Sequence, residues 1–349
     1  MESNKNLSLL AIVISIIAIA ISLTFSSSLM KQKQQVVYPG QAQNPTILHG
    51  QNNAAIYADW NDNDPNVCQP YGSYCPDKKF FVPTFHIPAA DPNTTFKVDD
   101  EGRLRFKTNP FSTNNGAPFN HAITPVFATQ PFLAPNDGTS VGYSGKYSMN
   151  GFGSFNTNDP RNLWYGSAIG LVDTGAFGFP TFISLSHIMV PDSKNAQGKC
   201  IVNYSRFPVP GVVPAGEGFI YFINVNTSAC DARHNLTEYK VTYNRAGHSA
   251  RWFVGGQQIF EVNNVGKELP ASYNQYDYTS SFLGASVNPA LTHIVDVAGF
   301  FAGFGNCNFQ DLYNEKVLGM NNVDANKDEN WLFGQGFELT VDDYRIGAF

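Results

Sequence analysis

The sequence predicts an all-β protein, a two-sheet antiparallel sandwich of jelly-roll type preceded by one transmembrane helix. Three observations carry that prediction. Charged residues are only 14% of the chain, against ~25% in an ordinary soluble domain, while aromatics reach 14% with 28 Phe and 16 Tyr. The 30 Gly and 21 Pro are spread between short alternating runs, the pattern of strands joined by turns rather than of a helical bundle. One uninterrupted apolar run, Leu7 to Phe25, stands at the N-terminus, and no second run of that kind follows.

The elements follow in chain order. Residues 1–6 form a short polar tail. Leu7–Phe25 (LSLLAIVISIIAIAISLTF) carries no charge, and at ~1.5 Å per residue it spans ~28 Å, about the hydrocarbon thickness of a bilayer. It reads as a retained signal-anchor. A cleaved signal peptide is the alternative, with Ser26–Ser28 as a poor cleavage site, but this run exceeds the usual ~7–15 apolar residues. Residues 26–53, rich in Ser, Gln, Asn and Pro, have no apolar period and read as a polar stalk. Residues 54–349 show no internal repeat or linker and make a single β-sandwich body.

Within the body, Phe96–Val98 and Leu104–Phe106 flank an Asp-Asp-Glu-Gly turn. Phe182–Val190, Cys200–Phe207 and Phe219–Val225 are strand-like runs. The clearest stretch is Glu238–Val262. Tyr239, Val241 and Tyr243 alternate with polar neighbours, as do Ala250, Trp252 and Val254, the period-2 mark of half-buried strands. Arg245–His248 separates the first two strands. Gly255-Gly256 joins the second to a third carrying Ile259, Glu261 and Val262, since a two-residue hairpin turn needs positive φ at both positions. Asp311–Leu318 hints at a short helix. Phe337, Leu339 and Val341 alternate with Glu338, Thr340 and Asp342 in a terminal strand.

Compartment and partners follow from composition. Asn93, Asn203, Asn226 and Asn235 stand in glycosylation sequons, and all five cysteines lie on the body side. Lys31 and Lys33 oppose that orientation on a positive-inside count. The sequons and cysteines favour a body that is extracellular, luminal or on a virion surface, with the bilayer as partner through Leu7–Phe25. Cys68 and Cys75 enclose a short loop, Cys200 and Cys230 bracket two strand-like runs, and Cys307 is left over, so two disulfides and one thiol are the expectation. Removing Lys5, Lys31, Lys33 and Glu2 from the 22 basic and 28 acidic residues leaves 19 and 27. A net charge of −8 without basic clusters excludes nucleic acid as a partner.

Two parts of the chain resemble known families. Arg251–Val262 (RWFVGGQQIFEV) resembles the hairpin of concanavalin-A-like lectin and glucanase sandwiches. Tyr239–Gly266 and Asn330–Ile346, the latter containing LFGQGFELTVDDYRI, resemble an uncharacterised domain-of-unknown-function family with bacterial and large-DNA-virus members. The two segments cover about 45 of the 349 residues. The resemblance implies a jelly-roll sandwich and supplies no activity.

Chemistry is sparse. Glucanases of that type carry E-x-D-x-E on one strand, so that alternate acids share a groove. No E-x-D-x-E occurs here; the nearest i,i+2 acidic pairs, Asp62/Asp64 and Asp99/Glu101, sit in turn-like contexts, and the hairpin offers Glu261 alone. His187 alternates with Ile183, Leu185 and Met189, which makes it a core or rim histidine sooner than a lyase base. No histidine or cysteine spacing suits zinc, and no G-x-S-x-G elbow occurs. Asp324, Asn326 and Asp328 have the alternating oxygens that open a calcium loop but lack its later Gly and Glu, as do Asp59, Asn61 and Asn63; Asx turns explain both. Calcium is thus the one cofactor with any signal. Trp164, Tyr165, Tyr273, Tyr276 and Tyr278 are candidate stacking aromatics for a glycan. The sequence therefore reads as a membrane-anchored, non-catalytic, lectin-like body for surface attachment or envelope structure, with a polysaccharide-active enzyme of atypical site as the alternative.

Overall fold

The structure, a computed structural model, describes residues 54–67, 77–81, 93–110, 124–128, 132–152, 165–174, 182–190, 199–206, 216–225, 235–270, 272–273, 290–308 and 336–349. The apolar run Leu7–Phe25, the stalk and the helix expected at Asp311–Leu318 lie outside them. Among the described residues no helix is long and apolar enough to cross a membrane.

All regular elements there are strands: β1 (Ala55–Ala58), β2 (Phe80–Phe81), β3 (Thr94–Val98), β4 (Leu104–Thr108), β5 (Thr124–Ala128), β6 (Phe132–Leu133), β7 (Ser140–Phe152), β8 (Tyr165–Thr174), β9 (Phe182–Val190), β10 (Lys199–Arg206), β11 (Phe219–Val225), β12 (Thr237–Asn244), β13 (Ser249–Val254), β14 (Gln257–Asn263), β15 (Gly299–Asn308) and β16 (Gly336–Ala348). They form two sheets. The first runs β14-β13-β12-β7-β16-β4-β3, with β1 also paired to β16; the second runs β11-β10-β9-β8-β15-β5-β2, with β6 also on β15. Every strand pairing in both is antiparallel.

The alternation read from Glu238–Val262 holds in β12 and β13, whereas in β14 Ile259, Phe260 and Glu261 are all half-buried, beside a register shift in its pairing with β13. Tyr239, Val241, Tyr243, Ala250, Trp252, Val254 and Val262 are all buried, while Arg251 and Gln257 face water. Gly255 and Gly256 close the hairpin with φ of 56° and 80°, a conformation that costs a side chain about 1–2 kcal/mol. Arg245–His248 is the turn before it, and Asp99–Gly102 turns between β3 and β4 as the sequence implies.

The core lies between the sheets. Phe80 of the second sheet meets Tyr344 of the first at 5.7 Å, and Phe304 meets Tyr344 at 5.6 Å and Phe106 at 6.3 Å. These edge-on arrangements suit ring quadrupoles and bury large apolar area. β16 is the central brace. Its first half sits between β7 and β4; after an irregularity between Asp342 and Arg345 its second half stays on β7 and takes β1 in place of β4. Asp343 takes a φ of 49° there and ion-pairs with Lys146 at 2.5 Å.

Candidate functional site: a buried ion cluster at the end of the second sheet

Strand β10 breaks the rule that β12 and β13 obey. Cys200, Val202 and Tyr204 point into the core, and Arg206 is the next residue in phase with them. Register places Arg206 opposite Ile183 of β9 and Phe219 of β11. Its side chain is only 3% exposed. A guanidinium there needs partners, because burying an unpaired charge costs far more than burying a methyl group.

Glu217, two residues before β11, supplies the counter-charge. Its Oε2 lies 2.7 Å from Arg206 Nη2 and 3.4 Å from His293 Nδ1. The side chain of Glu217 is 12% exposed, whereas His293 is 58% exposed and forms the rim. The contacts are close but poorly aligned: among the described residues Glu217 Oε2 makes no hydrogen bond, and Arg206 Nε and Nη1 have no acceptor. Burial lowers the affinity of the Arg206 guanidinium for its proton, with Glu217 and Tyr204 opposing that shift. The group remains a cation.

The loop between β14 and β15 closes over this end. Tyr204 Oη donates to Lys267 O at 2.7 Å and accepts from Gly266 N at 2.8 Å, so its hydroxyl is fully used, and burial drives its pKa upward. Gly266 holds φ at 103°, and a Cβ there would fall 2.5 Å from His293 O. Val295 N donates to Val265 O, and Glu268 N donates to Thr292 Oγ1. Leu291 and Ile294, either side of Thr292-His293, are exposed apolar side chains.

The sequence-derived candidates distribute differently. Asn93 and Asn235 are exposed, but Asn203 is 3% exposed, its amide bound to Tyr221 O and its Oδ1 accepting from Ser205 Oγ. A glycan has no room on Asn203, so this sequon, unlike those of Asn93 and Asn235, is not an accessible acceptor. The period-2 pattern could have flagged it, because Asn203 sits mid-strand between two paired neighbours. Asn226 lies outside the described residues, as do Cys68, Cys75 and Cys230. Cys200 is buried and disulfide-bonded. Cys307 lies in β15 opposite Gly166.

Trp164, Tyr276 and Tyr278 lie outside the described residues, as do Asp324, Asn326 and Asp328. Tyr165 is the first residue of β8. Tyr273 is 41% exposed and packs edge-on against Phe260. The Asp59–Asn63 stretch is built of Asx turns: Asp59 and Asp62 accept from the backbone N–H two residues on, and Asp64 does the same while pairing with Lys78. No group of three or more metal-ligating side chains occurs among the described residues.

The acidic pairs are likewise structural. Asp99 binds Arg103 and Arg105, Glu101 binds Arg103, and Glu261 binds Arg251. His187 lies in β9 opposite Ile169 and Val202. Ile183 and Leu185 of β9 are buried in the core. In the strand pairings Ser186 lies opposite Gly170 and Asn203, and Ser184 opposite Val172 and Ser205.

Arg206 and Glu217 were not singled out from the sequence. A signal existed: Arg206 follows Cys200, Val202 and Tyr204 at strict two-residue steps, a charge in phase with a core face.

Residues 186–348 match the model of a family described as a family of unknown function (DUF6081). No curated protein matches the chain. Among solved structures, the chain is similar to the laminarinase from Flavobacterium sp. UMI-01, at 9% identity and a TM-score of 0.37, covering 74% of this chain and 82% of that one. It is similar to a β-glucanase from Bacillus licheniformis, at 12% identity and a TM-score of 0.39, covering 86% and 100%. It is also similar to arcelin-5, a lectin-like defense protein from Phaseolus vulgaris, at 10% identity and a TM-score of 0.33, covering 82% and 96%.

Proposed function

We propose that this chain is a membrane-anchored, non-catalytic, lectin-like protein of concanavalin-A-like, jelly-roll type, serving surface attachment or envelope structure. Leu7–Phe25 would hold it to the bilayer, with the body extracellular, luminal or on a virion surface. The observation that supports the non-catalytic part is the absence of an E-x-D-x-E strand from the sequence. Retaining glycoside hydrolysis needs two carboxyl groups ~5–5.5 Å apart, and Asp99, Glu101 and Glu261 are each engaged by arginine.

One arrangement favours an enzyme as the second reading. Glu217 and His293 approach to 3.4 Å at a rim open to water, a carboxylate and an imidazole within reach of each other. Incubating the full chain, solubilised in detergent, with a glycan array and in parallel with neutral polysaccharides separates the two. Retention of a glycan with no new reducing ends is the expected result. Release of reducing ends moves the protein to the enzymes, and failure to retain any glycan overturns the lectin-like reading.

A further inference from the structure

We infer that Lys240 and Arg345, neighbours on the outer face of the first sheet, form a subsite for the carboxylate of an acidic saccharide. The inference rests on the lectin-like reading above and names the ligand class it would take.

Strand register sets one row of side chains across that face. Phe253 of β13 lies opposite Lys240 of β12, and Lys240 opposite Ser144 of β7. Ser144 lies opposite Arg345 of β16, and Arg345 opposite Ile56 of β1. Successive side chains of a strand point to opposite faces. The residues on either side of Phe253, Lys240 and Arg345 are all buried in the core: Trp252 and Val254, Tyr239 and Val241, Tyr344 and Ile346. The row therefore faces away from the core, and Ile56 at its end is 48% exposed. Along the row the chemistry reads apolar, cation, hydroxyl, cation, apolar.

These two cations are held differently from the others on the same face. Arg105 pairs with Asp99 and Glu338, Lys146 with Asp343, and Arg251 with Glu261, so those charges are matched within the protein. Lys240 and Arg345 make no ion pair among the described residues. The Lys240 ammonium lies 4.4 Å from the centre of the Phe253 ring and 5.4 Å from that of Phe349. An aromatic ring attracts a cation without cancelling its charge, so Lys240 is positioned and still able to meet an anion. Ser144 between the two meets no hydrogen-bonding partner, so neither cation spends an N–H on it. The α-carbons of Lys240 and Arg345 stand two strand spacings apart, ~10 Å, within the combined reach of the two side chains. Both are half-buried at the surface, so a guest approaches them from water and needs no opening in the fold.

In a chain of net charge −6, two adjacent cations without carboxylates select an anion. A carboxylate fits the pair: the planar fork of Arg345 takes both oxygens, and Lys240 adds a point charge. The apolar side chains at the two ends, Phe253 and Ile56, suit the C–H faces of the sugar that carries it. A nucleic acid backbone needs cations in series along its phosphates. Here Glu238, exposed and two residues from Lys240 on the same face, repels such a polyanion.

Calorimetric titration of the full chain in detergent with trigalacturonate, its methyl ester, and the neutral trisaccharides maltotriose and mannotriose tests this. Trigalacturonate should bind, and esterification, Lys240→Gln and Arg345→Gln should each weaken binding about tenfold, the scale of one charge-assisted contact. Arg251→Gln removes a cation of the same face that is already paired, and should leave the affinity unchanged. Should the Lys240 or Arg345 variant fail to fold, the comparison of acid with ester decides. Undiminished binding of trigalacturonate by folded K240Q and R345Q overturns the subsite and leaves the lectin-like reading intact. Equal binding of acid and ester overturns the carboxylate assignment, and so does binding of the neutral trisaccharides alone. Absence of binding to every saccharide overturns the inference together with the reading it rests on.

Discussion

Two three-stranded meanders, β12–β14 in the first sheet and β9–β11 in the second, are built to the same plan and end differently. Both lie at the edge of their sheet and turn one face to the common core. In β12–β14 that face holds only neutral side chains, with Tyr239, Val241, Tyr243, Ala250, Trp252 and Val254 all buried. The charges stay outside and meet in water: Arg251 pairs with Glu261, and Lys240 stands 4.4 Å over the Phe253 ring. In β9–β11 the same inward row closes on a cation, Arg206. The first meander follows the rules that stabilise a sandwich. The second departs from them at one end, and departures of that kind concentrate where a protein meets something else.

The largest effect should come from the regular meander. Trp252 is fully buried and packs against Phe260 at 5.5 Å. Trp252→Ala removes its contacts and leaves a cavity, at a cost of about 3–5 kcal/mol. Thermal or denaturant unfolding measures it. A loss under about 1 kcal/mol would mean that β12–β14 is not the stable half of the comparison.

Next comes the irregular meander, where sign matters more than size. Glu217→Leu leaves Arg206 buried without a counter-charge and should cost about 3 kcal/mol. Replacing both partners, Arg206→Met with Glu217→Leu, should recover most of that loss or exceed wild-type stability, because an apolar pair needs no desolvation. The double-mutant cycle is read from the same unfolding curves. A double variant as unstable as Glu217→Leu alone would place the ion pair among the structural supports of the fold and sharpen the contrast in the opposite direction.

How much of this was legible in the sequence follows the same division. β12 and β13 could be read residue by residue because one face is wet and the other dry, so polarity alternates. β7 and β15 could not, although they are among the longest pairings. Their sequences, SVGYSGKYSMNGF and GFFAGFGNCN, are interrupted by glycines that read as turns. Gly142 is there for another reason: a Cβ on it would stand 2.0 Å from Val241 O in the neighbouring strand. Strand β10 read as a strand, yet Asn203 and Ser205 on its second face are also buried, which a half-wet alternation does not anticipate. The ion cluster was illegible as a cluster. Glu217 reaches Arg206 because β11 returns beside β10, and His293 reaches Glu217 from the segment before β15.

A smaller effect belongs to the outer charges of the first sheet. Burial would raise the pKa of Asp99, but hydrogen bonds from the Arg103 side chain and backbone, and from Arg105, outweigh it and bring it to about 2. A carboxylate depressed in the folded state stabilises the protein above its unfolded pKa, near 3.8, and loses that contribution as pH falls through its folded value. The window is therefore pH 4 to 2. Water screens part of this network, so about 1–2 kcal/mol is expected. Asp99→Asn should flatten the acid limb of the stability profile across that window and leave its shape above pH 5 unchanged. An unaltered acid limb would show that these ion pairs contribute nothing net.

The smallest effect tests whether the regular meander owes its register to its turn. Gly255 and Gly256 have φ of 56° and 80°, and no atom lies within 4 Å of where either Cβ would stand. Substitution there meets no steric wall, so its cost is backbone strain alone. Gly256→Ala should lose about 1 kcal/mol. Gly255→Asn should lose less, because asparagine tolerates the left-handed region and suits the first position of this turn. The order of the two, read from denaturation midpoints, is the informative quantity. Equal losses would mean the turn is held by the strands on either side, through Trp252 and its neighbours. Unequal losses in the expected order would mean that two glycines set the pairing of β13 with β14, and through it the dry face against which the cation of β10 stands out.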